Sequence, residues 1–472
     1  MVNNKARNSS DSNAVEYREC TTALDLISLH ESNPERYPYL LQSVAAGPVQ
    51  ARFDILFAHP VETLALQLDG TLQQGEECLA DNDFLKKLDS WWQQTTADAD
   101  LDIDLPFYGG WFLYLGYELA AQVEPNLNLP KQGFVKQLPV AYATRIPAAV
   151  IRDHHQNKTW LIAENGYTEL LDQMQQDIET LAPPSSTQIT NSPLVTALDE
   201  DEPSRYLNAV EKIKQYIIDG DLFQANLSRE WRGEMVDGVS VAAIYRKLCQ
   251  QNPAPFAGLA CYLNSAVISS SPERLVDIKG EQVSTRPIAG TRPRASNERD
   301  DQALSEALLQ HPKERAEHIM LIDLERNDLG RVCEPGTIEV DEFMVLESYA
   351  HVHHIVSNVR GTKRKEISPG EIIRALFPGG TITGCPKVRC MEIIAELEQA
   401  TRGPYTGAMG YLNRDGSMDL NILIRTIVTE GRALSLRAGA GIVADSSAAA
   451  ELLESRIKAR GLLRALGLDD AD

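Results

Sequence analysis

The sequence has no C-x-x-C pair, no apolar run of membrane-spanning length, no glycine-rich nucleotide fingerprint and no long run of Lys and Arg. Each absence removes a class of protein. The seven cysteines, Cys20, Cys78, Cys249, Cys261, Cys333, Cys385 and Cys390, are odd in number and irregularly spaced. Neither a disulfide framework nor a zinc ribbon is therefore expected, and a reducing cytoplasm is the expected location. A transmembrane helix needs about 18–20 consecutive apolar residues, which the chain does not offer. The first residues, MVNNKARNSSDSNAVEYREC, lack the apolar segment of a secretory signal. Without G-x-G-x-x-G or a P-loop, the common dinucleotide- and nucleoside-triphosphate-binding plans are not indicated. Positive charge is also scarce: 45 Lys and Arg stand against 67 Asp and Glu, a formal net charge of −22. Such a field repels nucleic acid. A small anion could still bind, but only where local cations or a metal ion offset the field.

What is present is enough for a large core: 472 residues, 43% of them hydrophobic. Residues 1–15 are polar, rich in Asn and Ser, and expected to be disordered. Residues 16–182 form an N-terminal region. Residues 183–203 concentrate Pro, Ser, Thr and acidic side chains and read as a linker, and 204–472 form a second region. Strands are expected at Ala51–Ala58, within the aromatic and glycine-rich block Leu105–Tyr117, and at Leu222–Leu227. A helix capped by Ser204 is expected, with Tyr206, Val210, Ile213 and Ile217 on its buried face and Gly220 at its end. A second is expected from Pro386, with Val388, Met391, Ile394 and Leu397 on the apolar side. Strands and helices mix without a βαβ rhythm, which predicts an α+β fold of large antiparallel sheets with peripheral helices.

Several groups of residues could carry chemistry. Glu314 and Glu317 lie three apart in a helical stretch, as do Glu451 and Glu454, so each pair projects from one helix face. Brought together, the four would make an all-oxygen, anionic site suited to Mg²⁺; kept apart, they are two solvated faces. Small residues before helix starts, around Gly441 and at Thr381–Lys387, allow backbone N–H groups to approach an anion, or simply make tight turns. Arg425, in the apolar run Asn421–Thr426, could reach a cleft from a strand and hold a carboxylate, or be exposed. In His351-Val-His353-His354 adjacent strand positions face opposite ways, so a zinc cluster is not expected. A single histidine there could transfer or orient a proton.

Six segments in order resemble the chorismate-utilising enzymes, specifically the large subunits of anthranilate synthase and aminodeoxychorismate synthase. They are Asp219–Ser228, Ser270–Arg274, Arg286–Arg294, Glu317–Asp328, Thr381–Lys387 and Ala438–Ser446. The resemblance covers nearly the whole chain. It implies a sandwich of antiparallel sheets with the active-site cleft between the sheet-based halves, and makes 204–472 the chorismate-binding catalytic region. It implies that Glu314, Glu317, Glu451 and Glu454 hold Mg²⁺, which binds the ring carboxylate of chorismate. Arg425, Gly441 and Lys458 match positions around the substrate carboxylates; Gly290, Thr291 and Thr381 match the pocket lining, and Thr291 is grouped with the catalytic residues. His354 matches the histidine beside the departing hydroxyl.

Two positions bear on the nucleophile. Isochorismate and salicylate synthases carry a lysine base where this chain has Gln224; a neutral amide cannot activate water, so ammonia is the expected nucleophile. Many aminodeoxychorismate synthases carry a lysine where this chain has Ala289, whereas anthranilate synthases carry alanine. Arg52–Ile55, the histidine stretch and Ile382–Ile394 are closer to aminodeoxychorismate synthase. The favoured reading is therefore Mg²⁺-dependent amination of chorismate at C4 to 4-amino-4-deoxychorismate, for 4-aminobenzoate and folate synthesis. The alternatives are anthranilate synthase component I and a non-catalytic regulatory relative. The sequence ends at Asp472, soon after the last motif, so ammonia is expected from a separate glutamine amidotransferase subunit. The resemblance also implies a candidate tryptophan pocket in the N-terminal region, where Ser43 lies in the matching stretch and Gln42 replaces the usual glutamate.

Overall fold

The strand Gly110–Leu115 is buried on both faces because its side chains serve two different cores. Trp111, Leu113 and Leu115 point to one, with Leu88, Ile322 and Ile373. Phe112 and Tyr114 point to the other, with Tyr39, Phe57 and Met409. This two-residue alternation defines the architecture of the computed structural model, which describes residues 15–21, 24–45, 52–97, 103–181, 192–295, 297–349 and 352–468.

Two 12-stranded antiparallel sheets pack face to face. Tyr39 of one sheet stacks on Phe112 of the other, with ring centroids 4.1 Å apart, and its hydroxyl meets Thr144 Oγ1 at 3.0 Å. Helices cover the outer faces. Leu26–Ser32, Glu169–Thr180, Val241–Gln251 and Ala448–Ala465 pack on the first sheet. Phe84–Thr95, Pro312–Gly330 and Pro369–Leu376 pack on the second. The expected α+β sandwich is what the chain forms.

The two sequence regions do not form separate domains. Tyr39–Gln42 pairs with Phe256–Tyr262 in the first sheet, and Gly110–Leu115 pairs with Ala408–Asn413 in the second. The linker expected at 183–203 also needs correction. Val195–Glu200 is a strand paired with Gln224–Met235, and a helix already begins at Pro203. Residues 183–191 lie outside the described residues, as do 1–14 of the segment expected to be disordered; Val15 opens the first strand.

The helix Pro203–Ile218 is capped by Glu202, not Ser204, because Pro203 occupies its first turn, where a fixed φ and a missing N–H cost nothing. Tyr206, Val210 and Ile213 are buried as expected. In Lys387–Glu398, Met391, Ile394 and Leu397 are buried, but Val388 in the first turn is exposed.

The floor beneath this region is ionic. Glu398 accepts from Arg402 Nη2 at 2.7 Å, from Arg437 Nη2 at 3.1 Å and from the Ser228 N–H at 2.8 Å, and all three charged groups are buried. The two guanidinium groups hold the Glu398 carboxyl below its ordinary pKa although burial opposes this. Glu398→Gln takes from buried Arg402 the carboxylate it pairs with and leaves buried Arg437 only Glu230, at 3.5 Å. It is expected to cost about 3–5 kcal/mol of stability, read by chemical denaturation; a loss below about 1 kcal/mol would mean that the cations are solvated.

Candidate functional site

Three elements from distant parts of the chain come near one another. The first is the helix Pro312–Gly330, which crosses the strands Ile288–Pro293 and Val352–Thr362 of the second sheet. It sits close because residue 290 is glycine. Gly290 lies at a register shift with φ +60°, and a Cβ there would fall 2.9 Å from Glu314 Oε2. Arg292 on the same strand reaches Glu314 at 3.2 Å.

The second element is the antiparallel pair Gln224–Met235 and Ala433–Ile442 of the first sheet. Gln224 Nε2 donates to Glu317 Oε1 at 2.9 Å, tying this sheet to the helix on the other. Gly441 makes room for that amide, since a Cβ at 441 would lie 2.4 Å from Gln224 Nε2.

The third is the helix Ala448–Ala465, which presents Glu451, Glu454 and Lys458; Lys458 Nζ meets Glu454 Oε1 at 2.8 Å. Both acidic pairs are thus helical, as their spacing predicted. Lys313 and Lys458 each act electrostatically on both Glu317 and Glu451, so the two pairs border one region. Burial, with Glu314 as neighbour, raises the pKa of Glu317; burial, with Glu454 as neighbour, raises that of Glu451. Among the described residues, however, no three His, Cys, Asp or Glu side chains converge closely enough to hold a metal ion.

Arg425 is not a strand residue. It lies in the crossing between Met418–Ile422 of the second sheet and Thr426–Glu430 of the first, at φ +54°. A non-glycine residue there is strained by about 1–3 kcal/mol and is held only when its surroundings demand it. Burial lowers the guanidinium pKa, while Tyr405 and Glu454 oppose this. Arg425 in turn acts on His354, which is 7% exposed and whose pKa is pushed down to about 4, first by burial and then by Arg425. At neutral pH the ring is an uncharged imidazole, with Nδ1 2.9 Å from Thr291 Oγ1. His353 belongs to a separate pair with Asp301, and His351 lies outside the described residues.

Thr381, at the start of a short 3₁₀ turn, faces a residue that the sequence reading passed over. Glu273 follows Ser271-Pro272 at the end of a buried strand and is only 5% exposed. Burial raises its carboxyl pKa to about 7, opposed by Thr381, the Ile288 backbone and Lys458. Its Oε1 and Thr381 Oγ1 lack a hydrogen-bond partner of normal geometry among the described residues. Nothing local marks it: Ser270-Ser-Pro-Glu-Arg274 sets the carboxylate beside serines, a proline and an arginine, with no period that singles it out.

All twelve sequence-derived site residues therefore belong to one neighbourhood, linked through Lys458, Arg425 and Gln224. The Gln42–Ser43 stretch is elsewhere; there Gln42 Nε2 and the Ser43 N–H both donate to Asp54, at 3.0 Å each. Among the described residues, no helix is long and apolar enough to cross a membrane.

Residues 38–464 match the pattern of chorismate binding enzymes, and the chain belongs to that family. It is 45% identical over 383 residues to the anthranilate synthase component I-like protein of Synechocystis, covering 81% of this chain and 78% of that one. It is 38% identical over 453 residues to aminodeoxychorismate synthase component 1 of Bacillus subtilis, covering 93% of both. The crystal structure of anthranilate synthase component I from Streptococcus pneumoniae superposes with a TM-score of 0.79 at 32% identity, over 88% of this chain and 93% of that one.

Proposed function

We propose that this chain aminates chorismate at C4, with Mg²⁺ and with ammonia delivered by a separate glutaminase, giving 4-amino-4-deoxychorismate. The observation that carries the amination reading is the Gln224–Glu317 bridge. It fixes a neutral amide at the position where a water-adding relative needs a base. Ammonia needs none, because it adds through its own lone pair and loses a proton afterwards. Similarity to the Bacillus subtilis protein over nearly all of both chains supports C4 as the site of attack.

The donor set suits a hard cation: four carboxylates, all oxygen, two from each of two helices that share Lys313 and Lys458. Glu314, Glu317, Glu451 and Glu454 border one region without converging on a point, and would hold the ion by closing on it. Bound there, Mg²⁺ supplies charge stabilisation to the substrate carboxylate. The chain's own residues do the rest. Arg425 and Lys458 offer cations to a dianionic substrate in a protein of net charge −22. Gly290, Thr291, Thr381 and Gly441 shape the pocket without adding charge. Glu273, partly protonated near pH 7, gives its proton to the departing hydroxyl, which leaves as water. His354, neutral and held by Thr291, orients that group.

One observation favours a second reading. Ala289 is buried on the strand beside the site and has no nucleophilic atom, so no covalent lysine adduct can form there. Direct addition of ammonia at C2 would make the chain an anthranilate synthase component I. Product analysis decides. With chorismate, ammonium and Mg²⁺, the purified chain is expected to release an aminated product that yields 4-aminobenzoate only when aminodeoxychorismate lyase is added. Anthranilate and pyruvate formed without the lyase would establish the second reading. Ammonium should support turnover and glutamine should not; efficient glutamine use by the chain alone would contradict the separate partner.

A further inference from the structure

The strand Gln224–Met235 pairs in unbroken register with Ala433–Ile442, from Ala225 opposite Ile442, through Asn226 opposite Gly441, to Glu234 opposite Ala433. Side chains therefore alternate without interruption. Ala225 and Leu227 point to one face, where they join a core with Ile393 and Ala440. Gln224 and Asn226 share the other face, about 6.6–6.8 Å apart along the strand. The orientation of the Gln224 amide is set by chemistry, since only its nitrogen can donate to the Glu317 carboxylate. Gln224 Oε1 must then be an acceptor. It is buried on a side chain 4% exposed, and it has no hydrogen-bond partner among the described residues; Asn226 Oδ1 is likewise buried and unpartnered. The residue across from Asn226 is Gly441, which contributes no side chain to satisfy either oxygen.

We propose that Asn226 is a binding residue for the nitrogen nucleophile, its side-chain oxygen acting with Gln224 Oε1 to hold two N–H groups of ammonia beside Gly441. This rests on the amination reading above and names a residue that reading does not use. Two buried carbonyl oxygens call for hydrogen-bond donors, and leaving them unmade is costly. The carboxylates and enol ether of the substrate only accept, and its one hydroxyl donor is the group that leaves. Ammonia has three N–H bonds. After giving two to Gln224 and Asn226 it keeps its lone pair free to form the C–N bond, while the C–O bond breaks and water departs. Water can also donate twice, but adding it to the ring requires a base, and both groups here are neutral amides.

The test is steady-state kinetics at fixed pH, varying ammonium and chorismate separately, with Mg²⁺ saturating. Asn226→Leu is expected to raise the KM for ammonium about tenfold, the value of one hydrogen bond, and to change the KM for chorismate less than about twofold. Asn226→Asp keeps acceptor oxygens in place and should stay within about threefold of the wild type. If Asn226→Leu does not fold, Asn226→Ser carries the same expectation, because its hydroxyl stops short. An unchanged ammonium KM, a rise in the chorismate KM instead, or equal impairment by Leu and Asp would each overturn the assignment and leave amination standing. A wild-type protein that forms no aminated product from ammonium would overturn the amination reading itself.

Discussion

Glu454→Ala is expected to reduce kcat/KM for chorismate by about 10³-fold or more while leaving the fold intact. The two halves of this expectation have different causes. Activity falls because one of four carboxylates proposed to hold Mg²⁺ is lost, and several kcal/mol of charge stabilisation go with it. Stability is spared because Glu454 and Lys458 form an i,i+4 pair with side chains 48% and 34% exposed. Such pairs contribute about 0–1 kcal/mol. Activity should be measured across a Mg²⁺ titration alongside chemical denaturation. Wild-type-like turnover in the variant, or full activity of the wild type in excess chelator, would remove the metal from the mechanism.

Glu273→Gln is expected to lower kcat by about 10²- to 10⁴-fold, the range for loss of a positioned general acid. The pH dependence supplies a second signature. With its pKa raised to about 7, the wild-type carboxyl keeps its proton below neutrality and loses it as the pH rises through 7, so kcat should fall along that limb. Stability should move the same way. Between its ordinary value of 4.5 and about 7 the folded protein binds a proton that the unfolded chain has released, so stability drops as pH increases across this window. Glutamine cannot ionise. The variant should therefore be nearly inactive yet more stable than the wild type at pH 8, by an amount on the order of 3 kcal/mol. A variant that keeps wild-type kcat would refute the role of Glu273, and one that is less stable at pH 8 would show that its carboxyl is held in the ionised form.

Local pattern carried much of the site. Glu314 with Glu317, and Glu451 with Glu454, could be read from spacing because a helix fixes which residues share a face. Tyr206, Val210 and Ile213 were legible for the same reason. What joins these pieces was not legible. The Gln224–Glu317 bond spans 93 residues and both sheets, and no local period encodes it. Arg425 reads as a strand residue because Ile422-Leu-Ile424 before it is an apolar run; the crossing from one sheet to the other needs the same buried side chains as a strand. Val195–Glu200 reads as linker because an edge strand, exposed on one side, tolerates the Thr and acidic residues that loops also favour. Glu273 was missed because a single buried carboxylate leaves no pattern at all; only its desolvation in the fold distinguishes it. Ser204 and Val388 failed for smaller reasons, a proline one place earlier and a first helical turn that faces outward.

The pairing of Gly110–Leu115 with Ala408–Asn413 has a consequence for how this protein is made. A ribosome adding about 5–20 residues per second needs roughly 15–60 s to travel from one partner to the other. Throughout that interval the strand carrying Trp111, Phe112, Leu113, Tyr114 and Leu115 has one edge open and apolar groups on both faces. The nascent N-terminal half therefore passes through synthesis as an unfinished sheet, a template for pairing with other chains. The sandwich can close only after residue 413 has left the exit tunnel. The order of strands in the sheet, more than the depth of the final stability, is therefore expected to decide how much of the chain is lost to aggregation when it is made quickly.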